Sequence, residues 1–154
     1  MGRTTSPVET RDARFIKDCK RRWPLHRLER LAPLLHRQRQ SKHPVEVALL
    51  QKACDITEAG FRRALGFIRP GVYEFEIESE FLHEFLRRRS RGFAYAPIVG
   101  TGVNGCALHY LNNYDECLDG QMVLIDIGAE YANYNADMTR TVPVNGRFTD
   151  RQRA

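Results

Sequence analysis

The stretch "DIGAEYANYNAD", residues 126–137, carries an aspartate at each end and is preceded by the apolar run "MVLI". Apolar side chains alternate along residues 122–127, so that one row faces a core and Asp126 lies on the opposite face. Gly128 and Asn133–Asn135 supply turn chemistry, and a β-branched run, Thr139, Thr141 and Val142, follows. The pattern predicts a β-hairpin with a carboxylate on each strand.

The two aspartates of this hairpin need a reason to lie together. If Asp126 and Asp137 pair directly, their Cβ atoms lie roughly 4.5–5.5 Å apart, where like charges are destabilising. A shared proton or a cation would offset the repulsion, because hard divalent metals prefer oxygen ligands and two-metal hydrolytic sites use bridging carboxylates. The alternative is a solvated loop in which the two acids never meet. The spacing alone does not separate these interpretations.

Composition places the chain among ordinary soluble domains. It has 154 residues, of which 42% are apolar and 28% charged. No apolar run approaches the roughly 18 residues of a membrane span, and no signal peptide is evident, so we expect a cytoplasmic protein without a membrane partner. The cysteines show neither C-x-x-C nor metal-ligand spacing, which predicts reduced, mostly structural thiols at Cys19, Cys54, Cys106 and Cys117.

The net charge of +5 is concentrated at one end of the chain. Residues 1–43 contain twelve Lys and Arg against four Asp and Glu, whereas residues 44–154 are slightly acidic. A basic arm can bind nucleic acid, but this one has few aromatic residues. We therefore predict a basic leader and linker helix over residues 1–43, no nucleic-acid partner, and a separate domain over residues 44–154.

Three helices are expected before the strands. Residues 1–12 are polar and predict no regular structure, and leucines at helical spacing over residues 25–40 are interrupted at Pro33. A second helix begins near Pro44 and stops at residues 69–71, "RPG", and a third covers about 74–90. Arg87–Arg89 is interpreted as its positive C-terminal cap. The predicted inward-facing residues are Leu49, Ala53, Ile56, Gly60, Ala64, Phe67, Ile77, Phe81, Phe85 and Leu86.

From Gly92 onward the sequence changes to short apolar stretches separated by glycines. Ala96–Val99 and Ala107–Tyr110 predict strands, and "GTGVNG" is a weak match to a phosphate-binding loop because a strand, not a helix, is expected after it. Two domain helices followed by antiparallel strands and a hairpin predict an α+β fold.

His109 differs from the other four histidines in its position. Its "LHY" segment is predicted to be a strand that leads, after one loop, into the strand of Asp126. A lone strand histidine is more often structural than catalytic. The neighbouring aspartates make His109 a candidate site residue.

Three segments together resemble a known family. "LLQKACDITEAGF", "VGTGVNGCALHY" and "DGQMVLIDIGAEYANYNADMTRTVPVNGRFTDRQR" are similar to segments of the Xaa-Pro aminopeptidases (aminopeptidase P), which are pita-bread metallopeptidases. The likeness extends from about Leu31 to Ala154. It implies the pita-bread fold, two divalent metal ions of the manganese type, and removal of an N-terminal residue that precedes proline. The implied partner is a peptide with proline at its second position, and a homo-oligomer is left open.

The resemblance also implies roles for three residues. Asp126 and Asp137 match the first two metal ligands of the family, and His109 matches the histidine that lines the substrate pocket. The ions would lower the pKa of a bridging water and polarise the scissile carbonyl. His109 would donate a hydrogen bond to the substrate or to the developing tetrahedral intermediate, as a catalytic and substrate-binding residue.

The family's metal site needs one further histidine and two glutamates from later strands. After Asp137 this chain has neither His nor Glu. We therefore expect the N-terminal half of the catalytic domain, a fragment that is inactive by itself. Two alternatives stay open: a pita-bread module that binds peptides or proteins without catalysis, and a metal-free hydrolase of the creatinase kind. The retained pair of aspartates argues against the second, because their proximity is unfavourable without a cation.

Overall fold

Two exposed helices form the first unit of the chain, which ends at Ser41. The structure is a computed structural model that describes residues 8–153. Helix α1, Arg11–Arg22, begins where the Thr10 hydroxyl accepts a hydrogen bond from the Ala13 amide at 3.2 Å. Helix α2, Ala32–Gln40, carries Pro33 in its first turn, a position that requires no amide donor. Neither helix contains a buried residue.

Two predictions for this first unit need correction. Arg11 and Asp12 were expected to lack regular structure, but they open α1; residues 1–7 lie outside the described part of the chain. The leucine helix was expected over residues 25–40, but α2 begins only at Ala32, because Pro33 is tolerated at a helix start and not within a helix.

Helix α3, Pro44–Phe67, opens the second unit, which begins at Lys42. Proline occupies its first position, and Glu46 Oε2 accepts a hydrogen bond from the His43 amide at 2.7 Å, so the start matches the prediction. The buried face consists of Ala53, Ile56, Thr57, Gly60, Phe61 and Ala64. The predicted stripe is confirmed at its centre, while Leu49 and Phe67 are half-buried at its ends.

Helix α4, Glu74–Arg87, packs closely against α3. A Cβ atom added to Gly60 would lie 2.7 Å from Cε1 of Phe85 and 2.8 Å from Cδ1 of Phe81, so only glycine permits this approach. Ile77, Phe81 and Phe85 are fully buried, as predicted.

The prediction for Leu86 is wrong, because the side chain is 53% exposed. It lies one residue past the 77, 81, 85 stripe, and one residue turns the helix by about 100° toward solvent. The arginines after it occupy the predicted place at the helix end, since Arg87 lies in the last turn of α4 and Arg88 is its C-cap. Arg88 Nε donates to Glu84 Oε1 at 2.6 Å, so that it neutralises a carboxylate of the same helix.

Two three-stranded antiparallel sheets complete the second unit, in the orders β1-β4-β5 and β2-β3-β6. In β3 the alternation is as predicted, because Val123, Ile125 and Ile127 are fully buried. The strands are β1 Gly92–Phe93, β2 Ile98–Thr101, β3 Met122–Ile127, β4 Ala129–Tyr131, β5 Tyr134–Asn135 and β6 Met138–Pro143.

Gly128 carries the chain from one sheet to the other. A Cβ atom at this position would lie 1.8 Å from the carbonyl oxygen of Ala136, so no other residue fits. The chain then forms the small β4–β5 hairpin, whose turn residues Ala132 and Asn133 have φ of 51° and 67°. Residues 126–137 thus contain a second hairpin inside the predicted one. Direct pairing of the aspartates is wrong, because Asp126 lies opposite Thr139.

The core of this unit joins the two helices to the buried faces of both sheets. Thr57 connects them further, since its hydroxyl accepts a hydrogen bond from the Ala129 amide at 2.9 Å. The architecture is α+β, which confirms the predicted class. Across residues 8–153, no helix has both the length and the apolar character needed to cross a membrane. The core cluster includes Ile56, Phe61, Val72, Ile77, Phe81, Phe85, Val99, Cys117, Val123, Ile125, Ile127 and Val144.

Candidate functional site

A single phenol brings the two aspartates together. The Tyr95 hydroxyl lies 2.6 Å from Oδ1 of Asp126 and 2.9 Å from Oδ1 of Asp137. Asp126 is near the end of β3, Asp137 directly precedes β6, and Tyr95 belongs to the connection between β1 and β2. The carboxylates therefore converge on one point although they do not face each other across strands.

The Tyr95 hydroxyl has one proton and two acceptors. Burial, followed by the hydrogen bonds to Asp126 and Asp137, raises the pKa of Tyr95 above its usual value. The phenol therefore stays protonated at neutral pH and can donate to the carboxylates. A donor between two like charges lowers their repulsion, which is the role that the sequence left to a proton or a cation.

His109 lies beside this pair. A cavity of about 460 Å³ is lined by Tyr95, Ala96, Ile98, His109, Leu111, Asp126 and Asp137. The structure thus places all three predicted site residues around one opening, and apolar side chains form the rest of its wall.

The predicted strand at Ala107–Tyr110 is wrong. A 3-10 helix occupies Gly102–Cys106, and His109 follows in a turn with φ of 56° and an exposed side chain. The close approach of Gly100 to the backbone of Gly105 explains the difference, because a Cβ atom on Gly100 would lie 2.9 Å from the Gly105 nitrogen. The chain folds back on β2 here instead of extending into a strand.

Asn113 attaches the far end of this loop to the sheet. It is buried, its Oδ1 accepts a hydrogen bond from the Val99 amide at 3.0 Å, and its Nδ2 donates to the Pro97 carbonyl at 3.0 Å. A second bond from Nδ2 reaches Glu78 Oε2 at 2.9 Å. The segment that carries His109 is therefore anchored next to the strand that faces Asp126.

The site fits part of a metal centre. Two carboxylates that converge on one point offer the oxygen donors that hard divalent cations prefer. Among residues 8–153 no group of three or more His, Cys, Asp or Glu is placed to hold a metal ion. The metal role of Asp126 and Asp137 and the substrate role of His109 therefore stay predictions.

Tyr95 was missed by the sequence analysis. It lies 31 residues before Asp126 and 42 before Asp137, in the unremarkable segment "FAYAP". Nothing in its periodicity or neighbours points to a role, because the contact depends on how β2 and β3 pair. Only a comparison of related sequences could have singled it out.

A larger cavity, about 510 Å³, lies between α3 and β6. It contains none of the predicted site residues, and its walls include Cys54, Arg62, Leu65, Met138 and Arg140. Its acidic members, Asp55 and Glu58, are engaged by neighbours one helical turn away, Gln51 and Arg62. We place the candidate site at the aspartate pair, where carboxylates, phenol and imidazole converge.

The sequence and the fold place the chain in a class of metallopeptidase. Residues 48–154 match Metallopeptidase family M24, and the chain belongs to this family. It is 49% identical over 121 residues to the Xaa-Pro aminopeptidase of Escherichia coli strain K12, an overlap of 79% of the chain and 27% of that protein. The chain thus spans about a quarter of this relative.

Solved structures support the same assignment. Proline aminopeptidase P II from Yersinia pestis superposes with a TM-score of 0.84 at 41% identity, covering 97% of the chain and 36% of the neighbour. Zinc-substituted E. coli aminopeptidase P in complex with product superposes with a TM-score of 0.82 at 40% identity, with the same coverage. The predicted resemblance and the predicted first half of the pita-bread fold are confirmed.

Proposed function

We propose that this chain contributes to an aminopeptidase that hydrolyses the N-terminal Xaa-Pro peptide bond. The observation that carries the proposal is the convergence of Asp126 and Asp137 on one point, with His109 on the wall of the same cavity. The E. coli relative, named Xaa-Pro aminopeptidase, supplies the substrate class.

Each residue of the site has a task in this proposal. Asp126 and Asp137 hold divalent cations, two in the complete centre and of the manganese type, although one of the similar structures is that of a zinc-substituted enzyme. The cations supply an activated water and a Lewis acid when bound. His109 donates a hydrogen bond to the substrate, and Tyr95 orients both carboxylates through its hydroxyl.

The apolar side of the cavity suits the proposed substrate. Ala96, Ile98 and Leu111 line it next to His109, and among the described residues no charged side chain other than the two aspartates belongs to its wall. An apolar wall with a few polar groups is typical of sites for small ligands. A proline ring is compact and apolar, so it suits the apolar wall. The free amine of the peptide is attracted by the two carboxylates. A peptide with proline at its second position therefore matches both the apolar wall and the aspartate pair.

A chimeric enzyme tests this function. The segment of the E. coli enzyme that aligns with this chain is replaced by this chain's sequence, and hydrolysis of an Xaa-Pro dipeptide is compared with that of the matching Xaa-Ala dipeptide. We expect metal-dependent cleavage of the Xaa-Pro bond only. A chimera that folds and binds metal but cleaves neither peptide would contradict the proposal and favour a non-catalytic binding module.

The 154-residue chain by itself is proposed to be inactive. Its described residues supply two carboxylate ligands, whereas two cations need many more oxygen or nitrogen donors. Strand β6 is an edge strand of its sheet among the described residues, so association of copies through this strand is a further proposal. Gel filtration at two concentrations tests it.

A cytoplasmic location is also proposed. Its support is that all four cysteines are free, as expected in a reducing compartment. Fractionation of cells that express the protein tests the location directly.

A further inference from the structure

Glu74 is a fully buried carboxylate outside the candidate metal site. Its Oε1 accepts hydrogen bonds from the Thr101 amide at 2.7 Å and from Asn104 Nδ2 at 3.1 Å. Its Oε2 accepts from the Tyr110 hydroxyl at 2.8 Å and from the Asp115 amide at 3.0 Å. Four donors thus surround one carboxylate, and their hydrogen bonds offset the unfavourable free energy of burying it.

The four donors lie within one loop or directly beside it. Thr101 is the last residue of β2, Asp115 lies where the chain returns to α4, and the other two donors lie between them. The Glu74 amide in turn donates to the Asp115 carbonyl at 3.0 Å. Both ends and the middle of the loop, residues 102–114, are therefore attached to the first residue of α4.

Tyr110 is the donor that bears on the candidate site. Its neighbours in sequence, His109 and Leu111, both line the cavity with the aspartate pair, whereas its own hydroxyl bonds to Glu74. Burial and then the bond to Glu74 raise the pKa of Tyr110 to about 12, so the hydroxyl keeps its proton and donates at neutral pH. Since His109 has the sparsely populated φ of 56°, its direction depends on what fixes the adjacent residue.

We propose that Glu74 is a positioning residue for His109 and acts through the Tyr110 hydroxyl. The carboxylate fixes Tyr110 on the buried side of the loop, so that the preceding side chain emerges into the cavity beside the aspartates. The inference rests on the proposed role of His109 at this site. It predicts that the direction of His109 can be lost while the carboxylate pair stays intact, because neither Asp126 nor Asp137 contacts Glu74.

Two substitutions separate this role from general stability. Tyr110→Phe removes the hydrogen bond that the hydroxyl donates to Glu74 and the one that it accepts from Asn104 Nδ2 at 3.1 Å, and it leaves Glu74 with its other three donors. Glu74→Gln places an amide donor where two donors already converge on one oxygen. The matched control is Tyr114→Phe, the same chemical change in the same loop at a side chain that is 72% exposed.

The measurement uses the isotope-labelled 154-residue chain in solution. Manganese, which relaxes nearby nuclei steeply with distance, is added at increasing concentration, and relaxation is compared at the His109 ring and at the Ile98 amide. We expect both variants to show severalfold weaker relaxation at His109 with unchanged relaxation at Ile98. The Tyr114→Phe chain should match the wild type at both positions.

The direction of His109 is also measured without metal. Cross-relaxation between the His109 ring and the methyl groups of Ile98 and Leu111 should be strong in the wild type and lost in both variants. Amide exchange should accelerate only within residues 102–115. If manganese relaxes neither probe in the wild type, the proposed metal site fails, and these two readouts still decide the role of Glu74.

Three results would overturn the inference. One is an unchanged His109 environment in folded Tyr110→Phe. The second is the same unchanged environment in folded Glu74→Gln, and the third is exchange that accelerates equally in α3 and β3, which indicates a purely structural role. If Glu74→Gln does not fold, Tyr110→Phe carries the test, because it retains the buried carboxylate.

Discussion

Three side chains from distant parts of the sequence share one proton at the candidate site. Tyr95 donates it, and Asp126 and Asp137 accept it at 2.6 and 2.9 Å. Neither of the two contacts is local, so the arrangement exists only when β1, β3 and β6 have taken their places. The chemistry of the site is therefore a property of the folded second unit.

The aspartates and the histidine should fail in different ways. In the chimeric enzyme, Asp126→Asn or Asp137→Asn removes a charged ligand, so metal content and turnover should fall together. His109→Ala should lower turnover by about 10²-fold or more with metal still bound, because His109 is assigned to the substrate. Metal analysis and steady-state kinetics of the same preparations check this. Loss of metal in the histidine variant would reverse the assignment.

Tyr95→Phe should lower the folding stability of the metal-free chain. Removal of the hydroxyl leaves two carboxylates without their shared donor, and a hydrogen bond to a charged group is worth about 1.5–3 kcal/mol. We expect the free energy of unfolding in urea to fall by about that amount. A saturating divalent cation should reduce the deficit, because it takes over the neutralisation of the pair. An equal deficit with and without cation would contradict this account.

A site residue could be predicted from the sequence only where the residues next to it form a recognisable pattern. The acids stand out at the ends of a turn-rich segment, and His109 stands out through its resemblance to the family. Tyr95 and Glu74 could not be found, because their partners lie between 27 and 42 residues away. An acidic residue at a helix start, such as Glu74, is also explained by its favourable interaction with the helix dipole, so its position in the sequence does not indicate that it is buried.

At the scale of elements, the sequence predicted the features that follow from periodic patterns and missed those that depend on a single contact. The bounds of α3, the buried stripe of α4 and the alternation in β3 follow from periods of 3.6 and 2.0 residues. The passage from β3 to β4 depends instead on one contact between Gly128 and Ala136, which no period encodes. Leu86 was misplaced because hydrophobicity alone gives no direction.

Gly128→Ala tests that passage. The added Cβ would lie 1.8 Å from the Ala136 carbonyl oxygen, so the two sheets cannot keep their arrangement. We expect destabilisation beyond about 4 kcal/mol or failure to fold, which is at the extreme for one substitution. Gly66→Ala is the matched control. Apart from its chain neighbours and the backbone of its own helix, no atom of the described residues lies within 4 Å of its added Cβ, and alanine in helix α3 should stabilise by about 0.5–1 kcal/mol. Urea denaturation of both variants measures these changes in the free energy of unfolding.

The ion pairs of Glu84 predict a pH dependence of stability. Its hydrogen bond with Arg88, opposed by burial and aided by Arg87 and Arg63, holds the pKa of Glu84 below its ordinary value of 4.5. A lowered folded-state pKa contributes stability above about pH 4.5, and that contribution is lost as the pH falls toward the folded-state value.

Glu84→Gln should therefore be less stable than the wild type at pH 7, and the difference should shrink below pH 4.5. Glu58→Gln is the control, because its carboxylate is 55% exposed and pairs with Arg62 at the surface, where such pairs are worth little. Thermal unfolding from pH 7 to pH 3 measures both. A constant difference for Glu84→Gln would refute the ion-pair account.

At the scale of the whole molecule, the chain is proposed to contain only part of a metal site. Calorimetric titration of the 154-residue chain with manganese should give only weak binding, since few protein ligands hold the ion against exchange with water. An assay with an Xaa-Pro dipeptide should detect no turnover. Asp126→Asn serves as the control for specific binding at the pair. Micromolar or tighter binding together with cleavage would show that a complete site forms from this chain.

The buried carboxylate at the start of α4 also limits how this sequence can diverge. Glu74, Asn104 and Tyr110 are linked by hydrogen bonds, and a change at any one of them removes at least two hydrogen bonds from this group. Single substitutions are therefore expected to be unfavourable, and a joint replacement must still supply an acceptor for the backbone amides of Thr101 and Asp115. The three positions should behave as one inherited unit, retained together or exchanged together among descendants of this gene.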